Sequence, residues 1–165
     1  MSTTTQRIAR VNLIYGKGDV LNSHLNINPF TPDVSENLLR GQLNSLDGVL
    51  EEGEAEEIVA ADVIDFMVLT SVNDVIANWI SKLRVGGTLI IGGVDAFEAS
   101  KSFYQQRLDI SSFNRLVHGE QTEPYLFRRV NFSTIGMVQY LESLGMKIIK
   151  KRTNNHKYII EAKKL

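Results

Sequence analysis

Residues 57–95, EIVAADVIDFMVLTSVNDVIANWISKLRVGGTLIIGGVD, carry the clearest structural pattern in the chain. The run 57–63 is apolar and of strand length, which predicts a buried strand. Within 73–83, apolar residues recur at the spacing of one helical face: Val75, Ile76, Trp79, Ile80 and Leu83. Gly86 and Gly87 close the helix, and 88–94 is a second continuous apolar run. This succession predicts a βαβ unit with parallel strands.

The pattern is less clear toward the N-terminus. Residues 10–15 and 23–28 have strand character, and the second stretch stops at Pro29. A third strand is predicted at 38–43, although Gly41 interrupts it. The connections between these strands are shorter than a parallel crossover usually needs, so periodicity alone leaves an antiparallel hairpin open. The acidic, glycine-containing stretch 47–57 is typical of a solvated loop or short helix.

Toward the C-terminus, helices are predicted at 96–106 and 134–144, the latter capped by Ser133 and ended by Gly145. The polar stretch 107–131 reads as an insertion or lid. Strands at 146–152 and 158–162 should pair as a hairpin around Asn154-Asn155. No repeat or linker interrupts the chain, so we expect one domain, 1–165, with 1–7 as a disordered tail.

The composition limits the classes of function. The formal net charge is −1 and the pI is near 6.3, which argues against nucleic-acid binding, because that requires a basic surface. The chain has no cysteine, which excludes disulfides, zinc–thiolate sites and cysteine nucleophiles. No stretch reaches the roughly 20 apolar residues that span a bilayer. We therefore expect a cytoplasmic protein with neither a membrane nor a nucleic acid as partner.

Several spans, in order, resemble a family of small predicted class I S-adenosylmethionine (SAM)-dependent methyltransferases that are often associated with glycan biosynthesis. Residues 11–16, VNLIYG, are similar to the family's first strand and turn, Leu-Asn-Leu-Gly-Cys-Gly, and 25–28, LNIN, to its Asn-Val-Asp strand. Residues 41–43 and 57–66 resemble its third and fourth strands. The segment 79–91, WISKLRVGGTLII, looks like its Leu-Lys-Pro-Gly-Gly turn and fifth strand, and 140–146, YLESLGM, like the helix end before its sixth.

The resemblance implies an α/β, Rossmann-like class I methyltransferase fold, with a mostly parallel sheet and a C-terminal antiparallel hairpin. It implies S-adenosyl-L-methionine as cofactor and a small-molecule or glycan-type acceptor, and it is compatible with a homo-oligomer or a partner enzyme. Matched position by position, the cofactor-binding residues would be Tyr15, Gly16, Gly18, Asn28, Gln42, Leu43, Ala61 and Asp62.

The cofactor motifs are degenerate at four places. Ile14 replaces the first glycine of the Gly-x-Gly turn, where a β-branched side chain would crowd a cofactor. Asn28 stands where an acidic residue accepts the ribose hydroxyls, and an amide lacks the charge-assisted strength of a carboxylate. Gln42 replaces an aspartate expected near the adenine amine. Residues 64–66, IDF, replace Leu-Glu-His.

Methyl transfer to a weakly acidic acceptor needs a base, and ligands of open α/β sheets bind beyond the carboxyl ends of the strands. The candidates at that edge are Asp19, Asp62, Asp65, Asp95 and, from the predicted lid, His118. For Asp62 a helix cap is the main alternative, for Asp95 a turn residue, and for His118 an exposed loop position. Gly92 and Gly93 would either admit a ligand or form a bulge. His24 and His156 lack the spacing of metal ligands, so no metal is expected.

Two hypotheses follow, with a third that is much weaker. The protein is an active SAM-dependent methyltransferase, or it has the same fold without turnover and serves as a binding or interaction module. A nicotinamide-dependent dehydrogenase is disfavoured, because no Gly-x-Gly-x-x-Gly motif opens a helix after the first strand.

Overall fold

The computed structural model describes residues 10–32 and 34–165, so the predicted tail 1–7 lies outside the described residues. A seven-stranded mixed sheet has the order β3-β2-β1-β4-β5-β7-β6. The strands are β1 (Arg10–Leu13), β2 (Leu25–Ile27), β3 (Leu38–Leu39), β4 (Ala55–Ala60), β5 (Leu83–Val94), β6 (Met146–Asn154) and β7 (Lys157–Lys164). The helices are α1 (Val72–Lys82), α2 (Ala96–Tyr104), α3 (Ile110–His118) and α4 (Thr134–Ser143).

The first five strands are all parallel, which decides the alternative left open by the sequence. β1 pairs in parallel with both β2 and β4, and β3 pairs in parallel with β2. No helix occupies the connections 14–24 and, among their described residues, 28–32 and 34–37. An extended chain covers about 3.3 Å per residue against 1.5 Å in a helix, so a short loop suffices to return beside a strand of two to four residues.

The connection from β3 to β4, residues 40–54, packs against the core through three leucines. These are Leu43, Leu46 and Leu50, which are all buried. The indole Nε1 of Trp79 in α1 donates a hydrogen bond to the Leu43 carbonyl at 2.9 Å. Within the predicted loop, Leu50 packs in the core, while residues 47–48 and 51–53 are exposed. The helix of the predicted βαβ unit is α1, which ends at Lys82, so Gly86 and Gly87 lie inside β5 and do not close the helix.

The C-terminal strands form the expected antiparallel hairpin, in which β7 pairs with both β5 and β6. Its turn lies one residue later than predicted, at Asn155 and His156, which have φ of 50° and 64°. Positive φ at both central residues is the geometry of a type I′ hairpin turn. The Asp95 amide, just after β5, donates a hydrogen bond to the His156 carbonyl at 2.7 Å. The turn therefore lies at the edge of the sheet where the parallel strands end.

The stretch 107–131 is only partly irregular, because it contains α3. Asp109 caps α3 by accepting a hydrogen bond from the Ser112 amide at 2.7 Å. The remainder, 119–131, returns across the carboxyl edge of the sheet. Among the described residues, no helix is both long and apolar enough to cross a membrane.

Candidate functional site

A small cavity opens at the carboxyl end of β1, where the loop after that strand meets the end of β4. It has a volume of about 170 Å³ and is lined by four of the predicted site residues, Tyr15, Gly18, Ala61 and Asp62. Ile14, which replaces the glycine of the motif, also lines it and lies 3.1 Å from where a Cβ on Gly18 would be. The parallel strands thus bring the first-turn and fourth-strand residues together.

The side chain of Asn28, directly after β2, is hydrogen-bonded to the backbone of the same loop. Its side-chain Oδ1 accepts hydrogen bonds from the Gly16 amide at 3.3 Å and the Phe30 amide at 3.0 Å. Its Nδ2 donates to the Gly16 carbonyl at 3.0 Å. Both acceptor positions of the amide oxygen are therefore in use. A ribose hydroxyl could bond to this oxygen only after the loop had released it.

An aromatic cluster of Tyr15, Phe30, Phe66 and Tyr125 covers the loop. The Tyr15 ring stacks on Phe66 with centroids 4.6 Å apart, and Phe30 stacks on Tyr125 at 3.7 Å. Gly16 has a φ of +74°, and a Cβ placed on it would lie 2.7 Å from the Tyr125 ring. The close approach that this glycine permits is thus taken by a side chain of the protein itself.

A buried arginine pairs with two carboxylates that follow β4. The guanidinium of Arg128 donates from NH1 and NH2 to the two oxygens of Asp62, at 2.6 and 2.9 Å. NH1 also donates to Asp65 Oδ2 at 2.9 Å, and the group lies 4.8 Å above the Phe66 ring. Asp62 is therefore an ion-pair partner rather than a helix cap. One guanidinium serves two carboxylates, which leaves the cluster one negative charge in excess when both are ionised.

The Asp65 carboxylate is fully buried, and this burial dominates its titration. Burial raises the pKa of Asp65 to about 6, even though the Val94 amide bond and the Arg128 charge favour the ionised form. For Arg128, burial lowers the pKa, but the hydrogen bonds and charges of Asp62 and Asp65 outweigh it and raise the pKa. Both pKa values can rise together because one guanidinium faces two carboxylates. Two negative charges stabilise the charged form of Arg128, whereas the fully buried Asp65 shares the charge of Arg128 with Asp62.

Gly92 and Gly93 allow this packing rather than forming a ligand opening. A Cβ on Gly93 would lie 2.6 Å from Asp65 Oδ1, and one on Gly92 would lie 2.5 Å from the Ala61 carbonyl oxygen. Three atoms of the region, Asp65 Oδ1, Arg128 Nε and the Tyr158 hydroxyl, are buried without a hydrogen-bond partner among the described residues. Burial also raises the pKa of the Tyr158 hydroxyl strongly, so it stays protonated.

A second cavity adjoins the first and has a volume of about 340 Å³. The two share Tyr15, Lys17 and Asp62. The second is further lined by Glu120 and Arg128 from the segment after α3. The sequence analysis singled out neither Glu120 nor Arg128 as a site residue. For Arg128 no local signal could have shown its role, since its partners Asp62 and Asp65 lie far away in the chain.

The other predicted residues lie elsewhere or serve the structure. The Gln42 side chain is exposed and Leu43 is in the core, and neither lines the two cavities above. Asp95 caps α2 through the Glu98 amide, and His118 lies on the exposed side of α3 near Phe127. Asp19 lines the first cavity. His24 bonds to Glu57 and Ser23 at the opposite end of the sheet.

Within residues 10–32 and 34–165, no group of three or more His, Asp or Glu side chains is arranged to hold a metal ion. The sheet order, with a polar cluster and two cavities at the carboxyl edge, defines an open, mostly parallel α/β protein with a crevice where such sheets bind ligands.

Solved structures identify the type of fold. The chain superposes on a 1,6-didemethyltoxoflavin-N1-methyltransferase from Burkholderia thailandensis with a TM-score of 0.61 at 11% identity, covering 94% of this chain and 71% of that one. For a SAM-dependent methyltransferase from Thermotoga maritima the TM-score is 0.60 at 16% identity, with 94% and 82% covered. For an O-methyltransferase family 2 protein from Planctomyces limnophilus it is 0.56 at 16% identity, with 94% and 51% covered.

The fold is therefore the Rossmann-like fold of SAM-dependent methyltransferases, as the sequence predicted. The chain spans about half the length of the O-methyltransferase family 2 protein. No protein-family model matches this sequence, and no curated protein matches it.

Proposed function

We propose that the protein binds S-adenosyl-L-methionine in the crevice beside the loop after Tyr15 and transfers its methyl group to a small-molecule acceptor. The observation that carries this proposal is the position of the cavity between β1 and β4, at the carboxyl edge of a sheet with methyltransferase order. The B. thailandensis neighbour was solved with 1,6-didemethyltoxoflavin and S-adenosylhomocysteine bound.

The charges in the crevice fit the amino-acid end of this cofactor. SAM carries an ammonium and a carboxylate close to its sulfonium. Asp62 and Lys17 line both cavities, so a carboxylate and an ammonium of the protein are available as complementary partners. The Asp62 side chain is 38% exposed despite its pairing with Arg128.

When bound, SAM supplies an electrophilic methyl group, and the protein supplies orientation and a proton acceptor. We propose that Glu120 takes the proton of the acceptor. Its carboxylate lines the second cavity and is exposed, and it forms no ion pair among the described residues. Asp62, one of the candidate bases from the sequence, is instead held by Arg128.

A second candidate function is a methyltransferase-like binding module without turnover. It is favoured by one specific arrangement: Asn28 is closed on Gly16, and Tyr125 covers that glycine. In this form the Asn28 oxygen is not free to accept from a ribose hydroxyl, so a ribose bond to Asn28 requires the loop to be released first.

Isothermal titration with SAM and with S-adenosylhomocysteine tests the proposal. Micromolar binding should stabilise the protein by about 2.7 kcal/mol at one hundred times the dissociation constant. Asp62→Asn should weaken SAM binding by about tenfold, while the matched control Asp74→Asn, at an exposed position of α1, should leave it unchanged. Absence of heat and of a thermal shift at millimolar SAM would favour the binding module.

The finer expectations from the sequence belong to the same proposal. They are a glycan-type acceptor, a single domain over 1–165, a cytoplasmic location, and a homo-oligomer or partner enzyme. The cofactor-contacting residues that we propose are those of the first turn, Asn28 and the end of β4, with Gln42 and Leu43 toward the adenine.

A further inference from the structure

A third cavity, of about 330 Å³, lies between α3 and the turn of the β6–β7 hairpin. It shares Glu120, Arg128 and Lys157 with the second cavity, so the two are neighbours across these side chains. Its floor is apolar, formed in part by Val94, Leu108 and Leu116. It thus adjoins the crevice on the side away from the loop after Tyr15.

The polar lining of this third cavity is mostly cationic. Arg115 forms no ion pair among the described residues, and the Lys157 Nζ is 4.0 Å from its only carboxylate neighbour, Asp62. The two terminal nitrogens of Arg128 are engaged by Asp62 and Asp65, but its Nε has no partner although the side chain is 93% buried. Glu120 is the single carboxylate in the lining.

We propose that this cavity receives a singly charged organic anion, an aromatic or aliphatic carboxylate, and that Arg115 and Lys157 bind its charged group. That this anion is the methyl acceptor rests on the proposed function. An apolar body suits the floor of Val94, Leu108 and Leu116, and the charged group suits the two cations at the mouth. The Ser112 hydroxyl, also in the lining, adds a hydrogen-bond donor.

A single negative charge fits better than a doubly charged phosphate. Arg128 is held by Asp62 and Asp65, and Lys157 lies 4.0 Å from Asp62 Oδ2, so these two cations and two carboxylates balance when both carboxylates are ionised. Arg115 is the cation of the lining without an ion pair among the described residues, and the Glu120 carboxylate is the negative charge beside it. A second negative charge on the ligand would therefore lack a partner.

The test compares benzoate with its neutral isostere benzamide on the complete chain, by titration followed with ¹⁵N backbone NMR. Benzoate should bind at least about tenfold more tightly, with shifts concentrated at Ser112 and Lys157. Arg115→Gln and Lys157→Gln should each weaken benzoate by about tenfold and leave benzamide unchanged. The matched control is Lys147→Gln, at the far end of the same hairpin.

Equal binding of the two probes, or benzoate shifts that survive both substitutions, would overturn the proposal. The titrations are run first without SAM, so the result does not depend on cofactor binding. Benzoate binding in a protein that ignores SAM would support the anion site and refute the methyltransferase. SAM binding without any preference for benzoate over benzamide would support the methyltransferase and refute the anion site.

Discussion

Asp65 is a carboxylate with no exposed surface, and it organises the residues around it. Its Oδ2 accepts from the Val94 amide, and its backbone carbonyl accepts from the amides of Arg129 and Val130 at 2.7 and 3.1 Å. One residue thus links the end of β4 to β5 and to the segment after α3. The Asp65 side chain therefore faces the interior of the protein and not a cavity.

Asp65→Asn should change how stability depends on pH. The folded-state pKa of about 6 is above the unfolded value near 3.9, so the wild-type free energy of unfolding falls as pH rises between them. Asparagine does not titrate. The stability of the variant relative to wild type should therefore increase by on the order of 2–3 kcal/mol from pH 4 to pH 7, as measured by urea unfolding.

The matched control is Asp109→Asn on exposed α3. The Ser112 amide hydrogen bond lowers the pKa of Asp109, so this carboxylate stabilises the fold more as pH rises, and its loss should give a trend of opposite sign. Parallel pH profiles for wild type and Asp65→Asn would contradict the assignment.

At the scale of elements, one carboxylate joins two helices to the end of β5. Asp95 accepts from the Glu98 amide at 3.0 Å, which caps α2. Its other oxygen accepts from the Thr134 amide at 3.0 Å and hydroxyl at 2.5 Å, at the start of α4. The sequence predicted that Asp95 is either a turn residue or a residue of the ligand edge. In the structure Asp95 caps α2 and also holds the start of α4.

Asp95→Ala should lower the free energy of unfolding by about 2–4 kcal/mol, because it removes a cap and buried charge-assisted hydrogen bonds. Amide exchange in the first turn of α4 should accelerate together with that of α2. Asp109→Ala, which removes only the exposed cap of α3, should lower the stability clearly less than Asp95→Ala does. Equal losses in the two variants would show that Asp95 does not join the helices.

At the scale of the molecule, the segment 119–131 closes the carboxyl edge of the sheet. Tyr125 covers Gly16, Arg128 pairs with Asp62 and Asp65, and the Lys17 ammonium bonds to the Thr122 hydroxyl at 3.0 Å. The predicted lid is thus attached to the loop that would hold the cofactor. If a ligand binds only the open form, its apparent affinity is the intrinsic affinity multiplied by the fraction of molecules that are open.

Tyr125→Ala should uncover Gly16. Exchange of the Gly16 and Lys17 amides should become faster, and any SAM affinity should rise, since less of the binding energy is used to open the crevice. Tyr104→Ala is the matched control, because Tyr104 is 88% exposed on α2. Unchanged exchange at Gly16 in Tyr125→Ala would show that the ring does not close this loop.

The β4–α1–β5 unit could be predicted from the sequence alone, because its strands and its helical face are local patterns of 57–95. The predicted glycine stop was wrong, because α1 ends at Lys82 and Gly86 and Gly87 lie inside β5. The C-terminal hairpin followed from the same kind of signal, to within one residue at the turn. The parallel pairing of β1 and β2 could not be predicted, because a short loop permits either direction and only the sheet decides.

What the sequence by itself determined was therefore the fold class and the edge where a ligand would sit. The tertiary structure alone decided what fills that edge: Arg128 meets Asp62 across 66 residues of chain, and Tyr125 comes to rest on Gly16. Contacts of this kind depend on how distant segments pack, and periodicity reports only which residues share a face within one element.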